Sequence, residues 1–184
     1  MKNILSIIKL TAVLLILFAV LYPLAIYGVA QCTPDQGKGK TLSVNGKVVG
    51  YQNIGQKFDK SVYFWGRPSA VDYNAAGSAG SNKGPSNPDY LALVQKRIDT
   101  FLIVHPYLEL SEIPSDIVTA SGSGLDPNIS PQAARIQVQR VAKARQLPAG
   151  KVRQLVESRI IKPTLMGTET VNVLELNMAL DRLK

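Results

Sequence analysis

The chain opens with an apolar run that no polar alternation interrupts. From Leu10 to Ala30, 21 residues carry no charge and are rich in Leu, Ile, Val and Ala. At ~1.5 Å per helical residue such a run crosses the ~30 Å hydrocarbon core of a bilayer, which predicts a transmembrane helix at 10–30. A cleaved signal peptide has a shorter apolar region, roughly 7–15 residues, although Gly28-Val29-Ala30 also reads as a small-x-small cleavage site. Pro23 removes one helical hydrogen bond, which membrane helices tolerate, and Tyr22 and Tyr27 stand where amphipathic rings favour an interface. Lys2 and Lys9 precede the run and Lys38 and Lys40 follow it, so charge alone is nearly balanced. A short basic N-terminus before a long apolar stretch is the usual start of an exported chain, and residues 1–9 are expected in the cytoplasm and everything beyond the helix outside it.

After the run the pattern changes twice. Residues 31–41 are polar and contain two glycines, a linker releasing a domain at 42–184. Leu42 to Val44 and Lys47 to Val49 flank Asn45-Gly46, the residue pair of a type I′ hairpin turn. Val62-Tyr63-Phe64-Trp65 is a short β-prone run closed by Gly66-Arg67-Pro68. Residues 75–88 are too rich in Gly, Ser, Asn and Pro for regular structure, and so long a loop is a candidate partner surface or a mobile excursion. Helical spacing then takes over. Asn87-Pro88 starts a helix with Leu91, Val94, Ile98, Phe101 and Leu102 on one face, and His105-Pro106 ends it. Ser130-Pro131 starts another, its apolar stripe of Ala134, Val138, Val141 and Ala142 bordered by Gln137, Arg140 and other polar residues. A third follows Leu147-Pro148 with Val152, Leu155 and Val156. Asn172 caps a last one, with Glu175 at the capping-box position and Val173, Leu176 and Leu180 inward. The reading is an α+β fold: one N-terminal transmembrane helix, then one compact extracytoplasmic domain with a strand-rich first half and a helical second half.

Composition narrows the function. Net charge is +8, of which Lys2 and Lys9 supply two, so the domain is basic. Its cations are scattered and no finger, zipper or RNA-binding pattern appears, which argues against nucleic acid as partner. The chain has one cysteine, Cys32, so no internal disulfide can form, and Gln31 before it departs from the small residue that lipidation favours. With a single histidine and a single cysteine no ordinary zinc site can be assembled, and His105 reads as a helix-end residue. No nucleophile elbow is present. Gly77 lacks a second glycine five residues on, and Gly122-Ser123-Gly124 fails at the third glycine of a dinucleotide fingerprint. Thr119 to Pro131 still exposes small hydroxyl residues and backbone N–H groups before a capped helix, a place for an anion or a partner loop.

Five separated segments resemble those of the C subunit of the Kdp potassium-transporting ATPase, in the same order. They are Gly55 to Phe58, Tyr63 to Ala70, Gly80 to Asn87, Ile117 to Pro127 and Val171 to Asn177, behind a single span. The resemblance implies an accessory, non-catalytic subunit in the bacterial plasma membrane. Its partners would be a channel-like potassium-binding subunit and a P-type ATPase subunit. Potassium and ATP would be handled by the complex, with no cofactor held by this chain. It also implies the family's role of a catalytic chaperone that raises the ATP affinity of the ATPase subunit; no residue here is assigned to nucleotide. The chain departs from the family at Trp65 and Asn128, where His is frequent, and at Glu169-Thr170. Leu147-Pro148-Ala149-Gly150-Lys151 replaces a Leu-Ser-x-x-Gln stretch, which lessens the case for direct nucleotide contact.

The expected partner contacts are Arg67, Ser81, Asn82, Ser86, Asn87, Ser121, Ser123 and Asp126. Arg67 leads because a Gly-Arg-Pro turn presents a guanidinium with little freedom; the alternative is that it pairs within its own domain. From other classes, an anchored extracytoplasmic hydrolase would use a serine of the 121–123 loop, and an envelope-binding module would bind anionic lipid or polymer.

Overall fold

Pro23 marks the geometry of the first element in the computed structural model, which describes residues 2–183. Helix α1 (Lys2–Ile16) and helix α2 (Tyr22–Gln31) run on through a π turn at Leu17–Leu21. A proline ring clashes with the carbonyl four residues before it, and the wider turn absorbs this: Tyr22 N–H bonds the Leu17 carbonyl, five residues back. The helix from Asn3 to Gln31, 29 residues, is long and apolar enough to cross a membrane, and it contains the expected span. The chain divides into two units between Lys40 and Thr41.

The second unit mixes helix and sheet, as the sequence predicts. Strands β1 (Thr41–Val44) and β2 (Lys47–Tyr51) form an antiparallel hairpin. Its turn residues Asn45 and Gly46 both take positive φ, 50° and 78°, as a type I′ turn requires. Helix α3 (Pro88–Val104) is capped by Asn87, whose side chain accepts from Tyr90 N–H. Helix α4 (Pro131–Arg145) is capped by Ser130 through Ala133 N–H, and α5 (Ala149–Ser158) follows Pro148. Strands β3 (Asn128–Ile129), β4 (Ile160–Ile161) and β5 (Thr170–Asn172) make a small antiparallel sheet in the order β3-β5-β4. Helix α6 (Val173–Asp181) springs directly from β5, with Asn172 accepting from Glu175 N–H. Glu175 does not complete a reciprocal box. Its carboxylate accepts from Gln52 Nε2 at 2.6 Å instead, tying the segment after the hairpin to α6.

The core gathers Ile129, Val138, Val141, Val152, Val156, Val171, Leu176 and Leu180 around α4, with Phe64 fully enclosed. Three expectations need correction here. The β-prone run at 62–65 is not a strand, because its pairing groups are taken by side-chain amides. Asn177 Oδ1 accepts from Phe64 N–H at 2.9 Å while Asn177 Nδ2 donates to the Phe64 carbonyl at 3.0 Å. Gln137 does the same for Trp65, at 2.8 and 3.2 Å. A primary amide carries the donor and acceptor of a peptide group, so α6 and α4 each supply this segment with one substitute strand neighbour. It follows that Gln137 and Arg140, expected to border the stripe of α4 as polar residues, are buried. The first half of the domain, expected to be strand-rich, has the hairpin as its sheet together with α3, and the three-stranded sheet lies among the helices of the second half.

Candidate functional site

Glycine and serine chemistry draws three of the predicted segments into one cluster of loops. Ser121 is buried, and its N–H donates to the Pro68 carbonyl at 3.0 Å. Ser78 Oγ donates to the Ser123 carbonyl at 2.9 Å. Gly124 holds φ at +69°, and a Cβ there would stand 2.6 Å from Val71 and 2.8 Å from the Ala79 carbonyl, so only glycine fits between the loops. Gly55 N–H donates to the Leu125 carbonyl at 2.7 Å and adds a fourth strand of chain.

Arg67 and Asp126, both expected to reach a partner, reach each other: Nη1 lies 3.0 Å from Oδ2. Asp126 Oδ1 accepts from Asn128 N–H, and Arg67 Nε is buried without a hydrogen-bond partner among the described residues. Tyr73 donates its hydroxyl to the Arg67 carbonyl. Burial, helped by the charge of Asp126, pushes that hydroxyl up to about 12, so it remains a donor at any neutral pH. The geometry therefore brings together Arg67, Ser121, Ser123 and Asp126. Ser81 is half-buried beside them, Asn82 and Ser86 stand exposed on the 75–88 loop, and Asn87 is occupied as the cap of α3.

Next to the cluster opens a cleft of about 420 Å³ that sequence reasoning missed. Phe58, Trp65, Phe101 and Ile117 line it with apolar surface, and Lys57, Arg67, Lys96 and Arg97 bring cations to it. The one available signal was the Lys96-Arg97 pair flanking the apolar stripe of α3. Lys57 pairs with Asp72 at 2.8 Å, and Arg97 Nη1 donates to the Val118 carbonyl at 3.1 Å.

Trp65 connects the cleft to a buried polar group. The Arg140 guanidinium lies 4.3 Å from the centroid of its ring, a cation–π contact. Arg140 Nε donates to His105 Nε2 at 2.9 Å, Nη1 to the Ser61 carbonyl at 2.5 Å and Nη2 to Gln137 Oε1 at 2.7 Å. Because Nε2 of His105 accepts, the proton sits on Nδ1, which donates to the Phe101 carbonyl at 2.8 Å. Both nitrogens are thus occupied, which leaves the imidazole no free position for base catalysis. Burial first, and the nearby guanidinium second, hold His105 down at about 4, and burial lowers Arg140 to about 10. Among the described residues no three His, Cys, Asp or Glu side chains stand close enough to hold a metal ion.

One helix long and apolar enough to cross a membrane, followed by an α+β unit with clustered loops beside a cleft, is the class of chain these residues form. Comparison with known proteins makes this specific. The profile of the family described as KdpC, K+-transporting ATPase, c chain, matches residues 4–182, and the chain belongs to that family. It is 74% identical to the potassium-transporting ATPase KdpC subunit of Flavobacterium psychrophilum over 184 residues, covering all of both chains. It is 75% identical to the subunit of the same name from Flavobacterium johnsoniae, again over all of both chains. Against that of Bacteroides fragilis the identity is 52% over 189 residues, covering the whole chain and 99% of the relative.

Proposed function

We propose that this chain is the single-span accessory subunit of an ATP-driven potassium uptake complex in the bacterial plasma membrane. The observation that carries the reading is the family match across residues 4–182, which takes in the apolar helix as well as the α+β unit. In this reading residues 1–9 lie in the cytoplasm and the domain beyond the linker lies outside. The domain holds the assembly together through its loops and assists the ATPase subunit, in keeping with the family's role of raising that subunit's ATP affinity. A channel-like subunit binds potassium, the P-type ATPase subunit hydrolyses ATP, and this chain performs no chemistry of its own.

The occupied imidazole of His105 and the buried Ser121 support contact over catalysis. An internally paired Arg67 supports a structural role for the Gly-Arg-Pro turn, which leaves Asn82, Ser86 and Ser123 as the exposed members of the contact set. The test is purification of the tagged full-length chain from mildly solubilised membranes, with measurement of potassium-stimulated ATP hydrolysis. Co-elution of a P-type ATPase and a polytopic partner with that activity is expected; a solitary, inactive chain overturns the reading.

A further inference from the structure

The cleft beside Trp65 has an apolar floor and an incompletely neutralised rim. Of its four cations, Lys57 and Arg67 meet Asp72 and Asp126 at 2.8 and 3.0 Å. Lys96 and Arg97 have no carboxylate within ion-pair distance among the described residues. Among the described residues, Asp59 is the one acid that lines the cleft. Arg97 uses one guanidinium nitrogen on the Val118 carbonyl and keeps the rest of its fork free, a geometry suited to a carboxylate. Leu93, one turn before Lys96 and Arg97 on α3, lines the same cleft while 40% exposed. A volume of about 420 Å³ falls in the range of ligand sites, ~300–1,000 Å³.

We propose that this cleft seats an acidic, apolar-tipped segment of a partner subunit, with a large apolar side chain on the Phe58–Trp65–Phe101 floor and a neighbouring carboxylate held by Lys96 and Arg97. This rests on the subunit reading above and names one docking surface within it. Charge complementarity selects the occupant: two unpaired cations attract an anion, and Asp59 on the same cleft favours a single carboxylate over a doubly charged phosphate. Partly enclosed by apolar walls, such a pair is screened less than one on an open surface.

The experiment uses the full-length chain in the assembled complex. A photo-crosslinking benzophenone amino acid replaces Leu93, and a second preparation carries Lys96→Glu with Arg97→Glu. The expected adduct is a partner-subunit peptide with Asp or Glu close to the captured residue. The doubly reversed chain should hold its partners roughly tenfold more weakly than the wild type at low salt, with the difference narrowing as salt screens the like charges, and changing the captured acid to Lys should restore retention. Lys96→Glu alone, at an exposed position, should move in the same direction, which separates a lost contact from a lost fold. If the wild-type chain retains its partners and the reversed chains retain them equally well, the proposal is overturned. An adduct to lipid or to a second copy of this chain also overturns it. A wild-type chain that brings down no partner fails the subunit reading itself.

Discussion

Arg140 carries its charge in the interior with hydrogen-bond acceptors around it and no carboxylate in contact among the described residues. Such a cation is held by the donors and acceptors it satisfies and by the face of Trp65. Arg140→Met leaves His105 Nε2 and the Ser61 carbonyl unpaired, and a loss of about 2–4 kcal/mol of stability is expected in denaturant unfolding of the detergent-solubilised chain. His105 adds a pH dependence whose sign is fixed by its environment. Unfolded, it titrates near its ordinary 6.5; folded, it resists protonation until about 4. Between those values the unfolded state binds more protons, so stability is complete above 6.5 and falls as pH drops toward 4, by on the order of 3 kcal/mol. Trp65, the only tryptophan, reports the transition by fluorescence. His105→Gln should flatten the dependence, and Arg140→Met should shift the window upward by removing a neighbouring positive charge.

At the level of elements, local signals were legible and side-chain substitutions for backbone were not. Asn87, Ser130 and Asn172 each cap the helix that the sequence assigned to them, and Asn45-Gly46 makes the expected turn. Those are decided within four residues of chain. The fate of Val62 to Trp65 is decided by Gln137 and Asn177, 72 and 113 residues away, and periodicity treats polar helix residues as solvent-facing. The same limit hid the cleft, whose lining comes from three stretches of chain, and the pairing of Arg67 with Asp126. A comparison of two variants measures the difference between these kinds of contact. Ser130→Ala removes a cap and should cost about 1 kcal/mol, somewhat more because its hydroxyl also meets Asp116 at 3.1 Å. Asn177→Leu leaves the buried N–H and carbonyl of Phe64 both unpaired and should cost on the order of 3 kcal/mol or more. Equal losses would mean that the amide clamp is no stronger than a helix cap.

For the whole molecule, Cys32 is a convenient reporter of topology. It is the single cysteine, exposed, and follows α2 directly. If the domain lies outside the cytoplasm, a membrane-impermeant maleimide should label Cys32 in intact, outer-membrane-permeabilised cells; protection until the cells are lysed would reverse the orientation. The loop cluster and the cleft share a further dependence, since Trp65, Gly66 and Arg67 belong to the segment gripped by α4 and α6. In hydrogen exchange this segment should behave unlike the irregular chain it is drawn as. The amide protons of Phe64 and Trp65 should exchange as slowly as those inside α4, a protected island between fast-exchanging neighbours. The irregular backbone that lines the cleft thus inherits the opening free energy of the two helices, so the cleft is lost only when α4 or α6 lets go.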